Sequence, residues 1–113
     1  CSPANRAQST IQFISQQIPE FDIRWKTDDS LYCFDSGSLL HWLRSWSDDY
    51  SEITLIGHNP AITGLCNYLA NTEIQNIPTC GYVQLLATQS GRWHHISDLS
   101  FDLVEFLQPK MFL

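Results

Sequence analysis

Three stretches of the chain repeat apolar residues at steps of three and four, the spacing of a helix that buries one face. The first predicted helix opens at Ser2-Pro3, a good cap followed by proline, and ends near Pro19. The second runs from about Ser38 to Trp46, and the third follows Asn59 as its cap, with Pro60 in the first position. The predicted buried stripes are Ala4, Ala7, Ile11, Ile14 and Ile18; Leu39, Leu40, Leu43 and Trp46; and Ile62, Leu65, Cys66 and Leu69.

The apolar run at residues 52–57 is the clearest predicted strand, short and β-branched like a strand that is covered on both faces. A shorter strand is predicted at 21–25. Residues 81–88 and 92–96 are predicted to pair as a hairpin around a turn at 89–91, and 99–113 to form a final strand or an extended tail. The order of strand, turn and helix at 52–69 is half of an α/β unit.

Composition excludes several classes of protein. The chain has 113 residues, 43% of them apolar, which suits one domain over 1–113 with a real core. Twelve acidic residues against six basic ones argue against nucleic acid as a partner. No apolar run approaches the ~20 residues that span a bilayer, so we expect no membrane partner. Four cysteines at irregular spacing predict reduced thiols, no metal site and a cytoplasmic location.

Two side chains lie at predicted helix starts, where free backbone N–H groups and the helix dipole favour anions. Arg6 follows Ser2-Pro3, and its planar fork of donors suits two phosphate oxygens. His58 follows the predicted strand 52–57 directly, where α/β sheets place their ligand sites. Each also has a simpler interpretation, a solvated surface arginine and a structural histidine bonded to a nearby carbonyl.

Taken together, these segments resemble a known family. Residues 2–10, Ser-Pro-Ala-Asn-Arg-Ala-Gln-Ser-Thr, are similar to the S-P-x-x-R-A-x-x-T motif of histidine phosphatases, and residues 53–60 are similar to their strand ending in G-H-N-P. The spacing of the two motifs, Leu31-Tyr32 before a helix, and Pro78-Thr79-Cys80-Gly81 before a strand resemble the small SixA-type phosphohistidine phosphatases. The resemblance implies a three-layer α/β/α fold with a mainly parallel sheet, of the phosphoglycerate mutase-like kind.

The resemblance also implies a mechanism and residue roles. Arg6 and His58 would hold the phosphoryl oxygens and stabilise charge in the transition state, with Asn59 and Thr79 as further phosphate-binding residues. Asp29 is the candidate leaving-group acid, although an exposed loop acid explains it equally well, and Thr79 is read more simply as a loop residue. No cofactor is implied. The expected activity is hydrolysis of a phosphoryl group, through a phosphohistidine enzyme intermediate, from phosphohistidine on a protein or from a small phosphomonoester.

The sequence departs from the family in one respect. The nucleophilic histidine of these enzymes lies in an R-H-G motif, and no Arg-His-Gly occurs in the 113 residues. We expect the natural protein to carry that segment before Cys1. The alternative is a non-catalytic module of the same fold that binds phosphate or a phosphoprotein without turning it over.

Overall fold

The computed structural model describes residues 1–89, 91–98 and 100–112. Its α-helices are α1 (Asn5–Gln17), α2 (Ser36–Arg44) and α3 (Ala61–Ala70). Its strands are β1 (Tyr82–Ala87) and β2 (Phe101–Leu107), and short 3-10 helices lie at Asp29–Leu31, Trp93–His95 and Pro109–Phe112. Within the described ranges, no helix is long and apolar enough to cross a bilayer.

The core lies between α2 and α3, with the sheet packed against α3. The helical stripes predicted from the sequence supply most of it. Its buried members are Leu31, Leu39, Leu43, Ala61, Leu65 and Leu69. The start of α2 is set by Asp35, whose carboxylate accepts a hydrogen bond from the backbone N–H of Ser38 over 2.8 Å. α3 ends at Asn71, which adopts the left-handed conformation common after a helix.

The predicted fold class is wrong. The described residues form three α-helices and one two-stranded antiparallel sheet, not three layers around a parallel sheet. The main reason is the segment at 52–57, which forms no strand. Its Ile53 and Leu55 pack against the core as predicted, but a strand also needs a ladder of backbone hydrogen bonds to a neighbour. Among the described residues it accepts one backbone hydrogen bond from a distant segment, from the N–H of Ser2 to the carbonyl of Ile56, and forms no ladder.

The predicted hairpin has the right first strand and the wrong partner. β1 pairs with β2, where Tyr82 faces Leu107 and Ala87 faces Phe101. The stretch predicted as its partner, 92–96, contains a 3-10 helix instead, and the expected turn at 89–91 includes Ser90, which lies outside the described residues. The prediction of a final strand within 99–113 is confirmed for residues 101–107. Leu99 and Leu113 lie outside the described residues.

Two smaller expectations also fail. Residues 21–25 form no strand, and Phe21 and Trp25 are exposed. In the predicted strand at 92–96, the side chains of His94 and His95 would point to opposite faces. They lie side by side instead, with ring centroids 3.9 Å apart, because a 3-10 helix does not alternate its side chains.

α1 begins two residues later than the sequence suggests, at Asn5 rather than at Pro3. Ala4 is its cap residue and offers no side-chain hydrogen bond, whereas the hydroxyl of Ser2 accepts from the N–H of Ala4 over 3.2 Å. Ala7 and Ile11 are buried, but Ile14 is exposed. The predicted apolar stripe is thus covered only along the first half of the helix.

Candidate functional site

One backbone hydrogen bond joins the two motifs singled out in the sequence. The N–H of Ser2 donates to the carbonyl of Ile56 over 2.9 Å, and Ser2 is fully buried. Four residues after Ser2 comes Arg6, in the first turn of α1, and two residues after Ile56 comes His58. The bond therefore sets the start of α1 beside the segment that leads into α3.

The start of α1 and His58 border a common cleft of about 410 Å³. Its lining residues are Pro3, Ala4, Asn5, Arg6, Tyr32, Phe34 and His58. Arg6 and His58 are the polar side chains there with basic character, and no carboxylate is part of this lining. In a chain of net charge −6, that local balance makes the cleft suitable for a small anion.

Within the described residues, the Arg6 guanidinium makes no hydrogen bond or ion pair, and its side chain is exposed. Arg6 contributes only its backbone carbonyl, which accepts from the hydroxyl of Thr10 over 2.9 Å. A cation in the first turn of a helix lies at the end that disfavours positive charge. Because the first turn also lacks a side-chain cap, an anion held there would gain from the dipole, free backbone amides and the guanidinium together.

His58 has an unsatisfied polar atom. Its Nε2 is buried and has no hydrogen-bond partner among the described residues. Leaving a buried imidazole nitrogen unpaired costs free energy, commonly about 1–3 kcal/mol, so the atom needs an explanation. An oxygen of a bound oxyanion would supply the missing partner. Since Nε2 is shielded from solvent, a ligand contacts it only after a small side-chain adjustment at the cleft.

Two aromatic rings lie against the imidazole of His58. The Tyr32 and Phe34 ring centroids are 5.6 Å and 5.4 Å from it, and the two rings meet each other edge to face at 5.5 Å. Neither ring is among the site residues predicted from the sequence. The usable signal was the alternation in 31–34, because Leu31 and Cys33 pack on the core while Tyr32 and Phe34 remain exposed.

The other residues predicted for the site lie outside the cleft lining. The carboxamide of Asn59 donates to the carbonyl of Ile77 over 2.6 Å and to Asn76 Oδ1 over 2.9 Å. Its Oδ1 accepts from the hydroxyl of Thr63 rather than from a backbone N–H, so it does not cap α3 as predicted. The side chain of Asn59 is thus occupied in holding the 76–77 loop against α3.

Thr79 is exposed in the turn that leads into β1, and it does not border the cleft. Asp29 is exposed in the first 3-10 helix and is likewise absent from the lining. The structure therefore brings together Arg6 and His58 and does not bring Thr79 or Asp29 to them.

The neighbouring carboxylate of Asp28 is more firmly bound than that of Asp29. It accepts from the backbone N–H of Ser30 over 3.0 Å, from the Ser30 hydroxyl, and from Trp42 Nε1 over 2.9 Å. These bonds, the one from the Ser30 side chain foremost and that from Trp42 next, lower the pKa of Asp28. Such a carboxylate is well suited to fix the loop and poorly suited to give up a proton near neutral pH.

A second cleft, of about 570 Å³, is lined mainly by residues of α2. Its polar lining residues include Ser30, Asp35, Ser38 and His41. The Asp35 carboxylate is already committed to the Ser38 amide and hydroxyl as the cap of α2. No group of three or more potential metal ligands occurs in the described parts of the chain, and the four cysteines are free thiols.

Comparisons with known proteins add little to this geometry. No family model matches the chain, and no solved structure matches it. An uncharacterized protein of Mycobacterium leprae (strain TN), ML1117, is 26% identical over 119 residues, which cover 97% of this chain and 70% of that protein. The resemblance to histidine phosphatases thus depends on the two sequence motifs alone.

Proposed function

We propose that the cleft between α1 and His58 binds a phosphoryl group, and that it is the phosphate-holding part of a histidine-type phosphatase site. The observation that carries the proposal is the shared cleft: the unpaired guanidinium of Arg6 and the imidazole of His58, whose buried Nε2 has no partner among the described residues, border it together. A tetrahedral oxyanion fits both groups, because arginine offers paired donors and the imidazole offers one more.

In hydrolysis Arg6 and His58 would stabilise negative charge in the transition state and would form no covalent bond to the substrate. As a nucleophile attacks phosphorus, negative charge spreads over the equatorial oxygens, and fixed donors at those oxygens lower the barrier. The nucleophile implied by the family resemblance is a second imidazole. It would form a bond to phosphorus as the substrate's bond to phosphorus breaks and its imidazole or alcohol leaves with a proton; water would then displace the enzyme's imidazole and release inorganic phosphate. The substrate would be phosphohistidine on a protein or a small phosphomonoester, met in the cytoplasm.

A non-catalytic role is the second candidate, and one observation favours it. His58 is the only histidine among the residues that line the cleft, so the described lining holds no separate imidazole to attack phosphorus. A cleft of this kind would bind a phosphorylated protein or a small phosphorylated molecule and release it unchanged.

Calorimetric titration with inorganic phosphate tests the shared proposal. We expect saturable binding to the chain, weakened roughly 10- to 100-fold by Arg6→Ala or His58→Ala, the usual scale for losing a charged hydrogen bond. Arg24→Ala is the matched control, because Arg24 is exposed, pairs with Asp22 over 2.8 Å and does not border the cleft. Phosphate binding that neither cleft variant weakens would refute the proposal.

A hydrolysis assay on the full-length natural protein separates the two candidate roles. Release of phosphate from a phosphohistidine peptide, with His58→Ala reducing turnover by at least about 10²-fold, supports the phosphatase. Tight binding of the same peptide with no release of phosphate supports the non-catalytic module.

A further inference from the structure

Tyr32 and Phe34 form an exposed apolar wall at the cleft. Each is 57% exposed, although single exposed aromatic residues are common on surfaces. What distinguishes this pair is its placement: the rings pack edge to face on each other and both contact the imidazole of His58. The two rings thus form an apolar part of the cleft's surface next to the hydrogen-bond donors of Arg6 and His58.

The wall is fixed in place by the residues that alternate with it. Leu31 is 2% exposed within the core between α2 and α3, and Cys33 packs against the same core. The preceding Asp28 is held by Ser30 and by Trp42 of α2. The backbone that carries the two rings is therefore anchored on both sides of Tyr32, which fixes the position of the rings at the cleft.

Such an aromatic wall makes no favourable contact with the oxygens of a phosphate. The face of an aromatic ring carries partial negative charge, so it attracts cations and other rings and repels anions. An inorganic phosphate held by Arg6 and His58 would leave both rings in water. A ligand with a flat apolar group beyond its phosphoryl group would cover them and gain hydrophobic and ring–ring contacts. The cleft's volume of about 410 Å³ is in the ~300–1,000 Å³ range of sites for small organic ligands.

We propose that Tyr32 and Phe34 are specificity-determining residues, which make the cleft prefer a phosphoryl group carried on a planar aromatic ring over alkyl or inorganic phosphate. This inference rests on the proposed function, since it concerns the same cleft. It adds the chemical class of the group to which phosphorus is attached.

Three probes that share the phosphoryl group test the preference: phenyl phosphate, methyl phosphate and inorganic phosphate, each titrated calorimetrically into the full chain. We expect phenyl phosphate to bind about tenfold more tightly than methyl phosphate, the scale of one or two ring contacts. In Tyr32→Ala/Phe34→Ala that preference should shrink to about twofold or less. Each affinity is divided by that of inorganic phosphate for the same variant, so that any change at His58 caused by the loss of its two ring contacts cancels from the comparison.

Phe13→Ala is the matched control. Phe13 is 64% exposed on α1, does not border the cleft, and its loss should leave the preference for phenyl phosphate unchanged. If the alanine variants lose the native circular dichroism spectrum, Tyr32→Leu/Phe34→Leu replaces them. Leucine keeps apolar volume but lacks a flat face, so the preference should still fall.

Phosphoimidazole, titrated alongside, distinguishes a nitrogen-linked ring from the oxygen-linked ring of phenyl phosphate. A preference for either over methyl phosphate supports the wall, and the tighter of the two identifies the linkage. Equal binding of ring and methyl phosphates, or a ring preference that survives in the double alanine variant, overturns this inference alone. Failure of all probes to bind overturns the proposed function as well.

Discussion

Ser2 and Ile56 are joined by a 2.9 Å backbone hydrogen bond that crosses more than fifty residues of sequence. The bond aligns the two segments carrying Arg6 and His58, and Ser2 is wholly buried beneath it. The Ser2 hydroxyl also accepts from the Ala4 N–H, immediately before α1. The cleft geometry therefore depends on a small buried serine that contributes no donor to the ligand.

Ser2→Ala is expected to lower the free energy of unfolding by about 1 kcal/mol, because the N–H of Ala4 loses its acceptor in a buried setting. Urea denaturation monitored by tryptophan fluorescence measures the change. Ser9→Ala is the control, since Ser9 is exposed on α1 and should change stability by no more than about 0.5 kcal/mol. Equal stability of the two variants would show that the Ser2 hydroxyl is dispensable.

Asn59 and Thr79 are expected to behave differently from Arg6 and His58. Asn59→Ala should lower the free energy of unfolding by about 1–3 kcal/mol, because it leaves polar groups of the 76–77 loop and Thr63 without their partner. Thr79→Ala should leave both stability and phosphate affinity nearly unchanged, since Thr79 is exposed and lies outside the cleft lining. Calorimetric titration of both variants checks this, and a tenfold loss of phosphate affinity in Thr79→Ala would place Thr79 in the site after all.

The thiols of Cys66 and Cys80 should differ in reactivity. Burial raises the pKa of the Cys66 thiol to about 11, whereas Cys80 is exposed. Since the thiolate is the reactive form, a disulfide reagent at about pH 8 should label Cys80 at least about tenfold faster than Cys66. Mass spectrometry of partly labelled protein locates the modified residue, and Cys80→Ser provides the control. Faster labelling of Cys66 would show that α3 is not packed as described.

Asp28 should make stability depend on pH in the acid range. Its pKa is below the ordinary value of 3.8 because the carboxylate accepts bonds from Ser30 and Trp42. Because the pKa of Asp28 is lower in the folded protein than in the unfolded chain, its carboxylate stabilises the folded state at every pH above the pKa of the unfolded chain. That contribution disappears as the pH falls through the pKa of the folded protein. Melting temperatures from about pH 6 to about pH 2 should therefore differ most between the natural protein and Asp28→Ala near neutrality, and converge in acid. Parallel curves would show that Asp28 makes no such contribution.

The sequence predicted the helices better than the sheet, and the reason is physical. α2 and α3 follow local stripes such as Leu39 with Leu43 and Leu65 with Leu69, which are buried as expected. A strand depends on a partner that can lie far along the chain, and no local sequence pattern determines which partner it is. Residues 52–57 have the composition of a buried strand yet lack a ladder, and β1 pairs with 101–107 rather than with the nearer 92–96.

The sequence identified the cleft residues that lie at predicted helix starts. It did not identify those whose place in the cleft results from tertiary packing. Arg6 and His58 are marked in the sequence by the cap-like residues around them, and they line one cleft. Tyr32 and Phe34 were not assigned to it, because exposure of a ring beside His58 results from the burial of Leu31 and Cys33 against α2 and α3. Asn59 has a polar side chain at a helix start, but it forms hydrogen bonds to the 76–77 loop instead of contributing to the cleft.

The most direct test of the cleft is a nuclear magnetic resonance titration of the isotope-labelled chain with inorganic phosphate. We predict that the resonances of the His58 imidazole nitrogens, the Arg6 guanidinium and the backbone amides of Asn5 and Arg6 shift together with a single dissociation constant, while those of His41 and His94 remain unperturbed. Saturable shifts at other residues, with His58 and Arg6 unchanged, would contradict it.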